Sequence, residues 1–429
     1  MRARAILTGA IIAQGCLFAS AVVVTQGQEP LAPSEVTREA PAALAEAAVL
    51  APPTEAPAGF DLITNGAVDA ARFAAALEEF TGPEGPSDGL GPVFNAAGCA
   101  ECHATPIIGG SSQVVERRAG RFDGQNFIEH PGGSLIQDRS LFPGLQERVL
   151  PGNNVLAFRA SLSILGLGFV EAIDSNTIAA IAQSQPSSIR GQLIQVPVLE
   201  AGGATRVGRF GWKNQQASLL SFSADAYSNE MGISTPLLPL EQLSNGLALP
   251  AGTDPFPGEP GVTDDTTNED IELFADFMRS TKAPPRDTTI AATPDSRRGE
   301  SLFASVGCAS CHTPTIVTAP AGTMITGGTF RVPTALGNKM IHPFSDFLLH
   351  DIGTGDGIVQ NGGPQTRNKL RTVPLWGLRA RGRFMHDAAS QSFGDAIARH
   401  SGQASGARAG YNALSSADRN RVLLFLSSL

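Results

Sequence analysis

Cysteine is scarce in this chain: five in 429 residues. That is too few for a disulfide scaffold, which small secreted domains use when they cannot build a core. Tryptophan and tyrosine are scarcer still, two of each, so each one is worth locating. No run of basic residues interrupts a sequence of net charge −9, which argues against a nucleic-acid partner. Beyond the N-terminus no stretch reaches the eighteen uninterrupted apolar residues of a membrane span. The first apolar run reads as an export signal over residues 1–28. Arg2 and Arg4 form its charged start, and Ala19-Ser20-Ala21 is a small-x-small cleavage site. That places the mature protein in the periplasm. An Ala/Pro-rich linker follows at 29–58.

Cys16 falls inside the signal. The other four cysteines form two Cys-x-x-Cys-His motifs, Cys99-Ala-Glu-Cys102-His103 and Cys308-Ala-Ser-Cys311-His312. This is the attachment pattern of c-type haem. Two thiols on one turn can add to the vinyl groups at one porphyrin edge, and the histidine that follows can face the iron. A nearby main-chain carbonyl can take the imidazole Nδ1–H and fix the tautomer. The plainer readings are zinc and a disulfide. A four-cysteine zinc site requires the two distant pairs to converge, and a disulfide does not require histidine after both pairs. Two covalently bound c-type haems fit best, with His103 and His312 as axial ligands.

The motifs anchor a loose repeat. Leu90 to Phe94 and Gly299 to Phe303 precede them as short helical patterns, the second capped by Asp295 or Ser296. Each half closes with an amphipathic helix. Thr267-x-x-Asp270 and Ser415-x-x-Asp418 read as capping boxes. Behind them Ile271, Phe274, Ala275 and Met278, then Val422, Phe425, Leu426 and Leu429, share a face. The expected fold is mainly α, with two c-type cytochrome domains. The N-terminal one spans 59–288 and is elaborated by long loops and a small β-hairpin; the C-terminal one spans 289–429. Leu193 to Leu199 reads as a short strand that Pro197 confines to an edge.

Several segments resemble the bacterial di-haem peroxidase and MauG superfamily, and most closely its di-haem oxidoreductase branch. They include Phe94-Asn95-Ala96-Ala97-Gly98-Cys99, Gly208-Arg209-Phe210-Gly211-Trp212-Lys213, Leu348-Leu349-His350-Asp351 and Arg371-Thr372-Val373-Pro374-Leu375-Trp376. The resemblance implies two cytochrome domains whose haems face a shared interface. It implies His400 as second axial ligand of the C-terminal haem, in register with Phe384-Met385-His386; Met385 is the competing ligand, and His386 is expected to support a haem propionate. It also implies Glu230 as distal acid–base group, with Trp212 as the aromatic between the haems. The plain alternatives are a capped turn for Glu230 and a core position for Trp212. His130 stays open as displaceable ligand, distal group or loop histidine. Calcium between the domains occurs in the superfamily, although Arg381-Gly382-Arg383 is unlike the residues that supply it there.

The expected activity is peroxidase-like: hydrogen peroxide reacts at the N-terminal haem, and electrons pass through a bis-His C-terminal haem. The donor would be a small redox protein or an oxidisable protein side chain. Two rivals are a non-catalytic di-haem electron-transfer protein and an oxygen-activating di-haem dioxygenase. The label "thiol oxidoreductase" used in this branch finds no support, because no free cysteine remains for thiol exchange.

Overall fold

The computed structural model describes residues 52–253 and 263–429. The expected signal at 1–28 and most of the linker lie outside them. The linker's last residues do not hang free: Thr54–Glu55 form a parallel strand with Lys339–Met340.

Two helix pairs build two cores. In the first, helix Ala70–Thr81 packs on helix Glu269–Ser280. Asp69 starts the former by accepting from the Arg72 N–H at 2.8 Å. Phe73, Ala76 and Phe80 then recur on one buried face. Phe80 meets Phe277 with ring centroids 4.5 Å apart, and Phe73 stacks on Phe277 at 5.8 Å. Each such buried ring contributes about 1.5–3 kcal/mol. In the second pair, helix Pro294–Ser305 crosses helix Ser416–Leu426. Gly299 permits the approach, since a Cβ there would sit 1.9 Å from the Arg421 carbonyl oxygen. Leu302 and Phe303 close on Val422, Phe425 and Leu426.

Packing crosses the expected boundary at 288/289. Ile316, Val332, Leu336, Ile341, Phe347 and Leu348 join the core built by the N-terminal helices.

Helices carry both cores, as expected, but the N-terminal elaboration holds more sheet than a hairpin. Strand Val115–Phe122 runs antiparallel to Val155–Ala160 on one side, and to Phe127–Glu129 and Leu135–Ile136 on the other. Gln195–Pro197 also pairs, antiparallel to Thr205–Val207.

Some local expectations fail. No helix precedes Cys99 directly; Val93–Phe94 is a strand paired with Arg139–Ser140, because Gly91 takes a left-handed φ of 98° ahead of Pro92. The 269–280 helix is preceded by Asn268, not capped by a box from Thr267. Asp270 instead accepts from the Tyr227 hydroxyl at 3.2 Å. Thr293 rather than Asp295 or Ser296 caps the 294–305 helix. Ser415 does cap its helix, accepting from Asp418 N–H at 3.1 Å.

Candidate functional site

Each cysteine motif forms one tight turn. His103 N–H bonds the Cys99 carbonyl at 3.1 Å, and His312 N–H bonds the Cys308 carbonyl at 3.0 Å. The turns bring Cys99, Cys102 and His103 to one cavity of about 470 Å³, and Cys308, Cys311 and His312 to another of about 460 Å³. Both volumes suit a cofactor. The four thiols are free, which disposes of the disulfide reading in this structure. Two thiols and an imidazole at each cavity are the donor set a covalently held haem requires.

Main-chain carbonyls fix both imidazoles. His103 Nδ1 lies 3.3 Å from the Gly110 oxygen and His312 Nδ1 3.1 Å from the Phe344 oxygen. In each ring Nε2 is the nitrogen left for a metal. The first carbonyl is local, as expected; the second comes from a distant loop.

The second cavity brings four histidines together, His312, His350, His386 and His400. Helix Phe393–Arg399, capped by Ser392, ends on His400. The His400 Nδ1–H donates to the Ala396 oxygen at 2.8 Å. Its ring centroid lies 6.5 Å from that of His312. Two imidazoles bonded to one metal through bonds of about 2 Å would stand roughly 6.3 Å apart. Met385 also lines this cavity. His386 is not free to steady a propionate: its Nδ1 faces the Phe158 oxygen at 3.1 Å and its Nε2 the Thr354 oxygen at 2.5 Å. It clamps two loops instead. His350 has a different partner, with Nε2 2.8 Å from Asp346 and Nδ1 3.7 Å from Cys311 Sγ.

The first cavity has a single imidazole, that of His103, and a group of buried charges. Helix Leu219–Ala226 runs into the turn Tyr227–Met231, which carries Glu230. Asn95 Nδ2 donates to Glu230 at 2.9 Å. Glu230 also neighbours Glu116, which a two-pronged contact with Arg118 holds at 2.5 and 3.2 Å. Burial and the Glu116 charge push Glu230 well above the usual carboxylate range. Burial acts the same way on Glu116, but the Arg118 guanidinium outweighs it and keeps Glu116 below its ordinary value. The pair is therefore asymmetric: one carboxyl favours its charged form and the other its neutral form. His130 does not line this cavity; its Nε2 accepts from the Leu150 N–H at 3.3 Å.

Ala160, Ser161, Leu162, Trp212, Arg371 and Arg381 line both cavities. Trp212 thus stands in the partition. Its Nε1–H donates to the Ala160 oxygen at 2.8 Å, and its ring meets His386 edge-on at 6.1 Å.

Glu116 and Arg118 escaped the sequence reading, and Arg371 and Arg381 were named in it only as parts of motifs, without a role at the site. Glu-x-Arg at strand spacing was the available signal for the first two.

A family model described as "Di-haem oxidoreductase, putative peroxidase" matches residues 138–429. It takes in Glu230 and the whole second cysteine motif and begins after the first. No curated protein matches the chain significantly. The diheme peroxidase BthA from Burkholderia thailandensis is 16% identical, with 89% of this chain and 92% of that chain covered and a TM-score of 0.40. A MauG-like protein associated with microbial copper homeostasis is 14% identical, with 90% and 95% covered and a TM-score of 0.40. Hydrazine synthase of Kuenenia stuttgartiensis is 13% identical, with 100% and 99% covered and a TM-score of 0.38. These likenesses are too distant to carry function; the family match, over most of the chain, does carry it. The protein belongs to the di-haem oxidoreductase family, and is a peroxidase-like oxidoreductase that uses two haems.

Proposed function

We propose that the protein is exported, holds both haems covalently through its four motif cysteines, and reduces hydrogen peroxide in the His103 cavity with electrons drawn from the second site. The haems supply redox-active iron. His103 would hold one iron, and His312 and His400 would hold the other. Splitting the O–O bond of peroxide requires a proton to move from one oxygen to the other. Glu116, kept ionised by Arg118, accepts a proton, and Glu230 supplies one from its neutral form. Asn95 orients the Glu230 carboxyl. Trp212 lies on the electron path, and the donor is a small redox protein or an oxidisable protein side chain.

The observation that carries this reading is the asymmetry of the cavities. One has a second imidazole 6.5 Å from the first. The other has a single imidazole and a carboxyl pair. The spectrum of the ferric protein tests it. One haem is expected to be low-spin and inert, the other to change on adding peroxide or cyanide. If both are low-spin and unaffected by either, the protein is an electron carrier and the catalytic reading fails.

A further inference from the structure

Buried cations in this protein have partners. Arg118 pairs with Glu116, Arg279 with Glu171, and Arg159 and Lys213 share Asp356. Among the described residues two guanidiniums break the pattern, buried Arg371 and partly buried Arg381, and both stand in the partition between the cavities. Arg371 is 6% exposed. Its Nε–H donates to the Gly211 oxygen at 2.7 Å, while its Nη1 is buried with no partner among the described residues. Arg381 donates from Nη2 to the Pro374 oxygen at 3.2 Å. Neither forms an ion pair among the described residues. They also repel each other. Burial and the Arg381 charge push Arg371 down to about 9, and burial alone pushes Arg381 down to about 10.

Two neighbouring cations at the partition, one buried and one partly buried, without an anion are an incomplete charge balance. The unpartnered Nη1 shows that neighbouring carbonyls do not complete it. Haem carries two carboxylates of its own, and a guanidinium is the side chain suited to bind them through paired hydrogen bonds. Both arginines reach both cavities.

We infer that Arg371 and Arg381 form one clamp for the propionate carboxylates of both haems, and that their charge is shared between the two redox centres. This rests on the two-haem reading. A cation beside each centre favours the ferrous state, so one clamp raises both reduction potentials together.

The experiment uses the full-length holoprotein and its Arg371→Gln, Arg381→Gln and Arg371→Lys variants. Haem content is measured by pyridine haemochrome, potentials by spectroelectrochemical titration, and propionate bending bands by resonance Raman. In either Gln variant both haems should shift about tenfold toward the ferric form, 59 mV for a one-electron couple, and the propionate bands should move. Arg371→Lys keeps the charge and should restore most of the potential. Should one Gln variant fail to fold, the other carries the same reading. Two haems with wild-type potentials and unmoved propionate bands in the Gln variants would overturn the clamp and leave the proposed function standing. Wild-type potentials that follow added phosphate, with unmoved propionate bands in the variants, would put a free anion there instead and also overturn it. A wild-type protein without two haems would defeat the functional reading itself, and the clamp with it.

Discussion

Glu116 and Glu230 are neighbouring carboxyls lining the first cavity, and their surroundings shift them in opposite directions. Arg118 favours the ionised form of Glu116, and burial beside that charge favours the neutral form of Glu230. Replacing Glu230 by Gln keeps the Asn95 contact and removes the transferable proton. Peroxide reactivity should fall about 10²- to 10⁴-fold by stopped-flow absorbance, while the low-spin signal of the second haem is unaltered. Full reactivity in Glu230→Gln would remove this residue from the mechanism.

The same pair sets a pH dependence. Glu230 is raised in the folded protein, so between the ordinary glutamate range and that raised value the folded state binds the extra proton. Its contribution is fully present below the ordinary range and is lost as pH rises through the raised value. Urea midpoints measured across that window should decline with pH in the wild type and decline less in Glu230→Gln.

His400 offers a test on the other haem. His400→Ala should abolish the low-spin signal of that site in the ferric EPR spectrum. His400→Met should keep six ligands and raise the midpoint potential, since a thioether favours the ferrous state more than an imidazole does. An unaltered signal in the alanine variant would give the ligand position to another group.

Asp356 is the counter-charge of two buried cations, 2.7 Å from Arg159 and 3.1 Å from Lys213. Asp356→Asn leaves both uncompensated and should cost about 3–5 kcal/mol by urea denaturation. Burial raises Asp356, but Arg159 and Lys213 outweigh it and hold its carboxyl below the usual range. Its contribution is therefore present above the ordinary aspartate value and lost as pH falls through the lowered one. The variant should lose less stability than the wild type on acidification.

Trp212→Phe keeps an aromatic ring in the partition and removes the N–H to Ala160. Stability should drop by about 1 kcal/mol. Electron transfer between the haems, followed by flash photolysis, should slow. A wild-type transfer rate would take Trp212 off the path.

The parts of the site legible in the sequence were the local ones. Cys99, Cys102 and His103 are placed by a single turn, so their spacing states their geometry. The amphipathic faces of the closing helices were legible for the same reason, because Ile271, Phe274, Ala275 and Met278 repeat with the helical period. Glu116 and Arg118 were hidden. They face inward from a strand, where alternation normally reports apolar residues, and the fold sets Glu116 opposite Arg159 across the ladder. Arg371 sits in a two-residue strand and Arg381 just after a single short turn, both too short for any periodicity to show which way they face. The Thr267 box misled because Asn268 adopts a left-handed conformation ahead of the helix, which the pattern does not encode.

The partition has a consequence for how the molecule is assembled. Its six residues come from three separate parts of the chain, 160–162, 212 and 371–381. A protein cut between the two cysteine motifs would leave each piece with part of a wall and neither with a closed chamber. Each chamber therefore borrows wall from the part of the chain that carries the other motif, and neither half is closed without its counterpart.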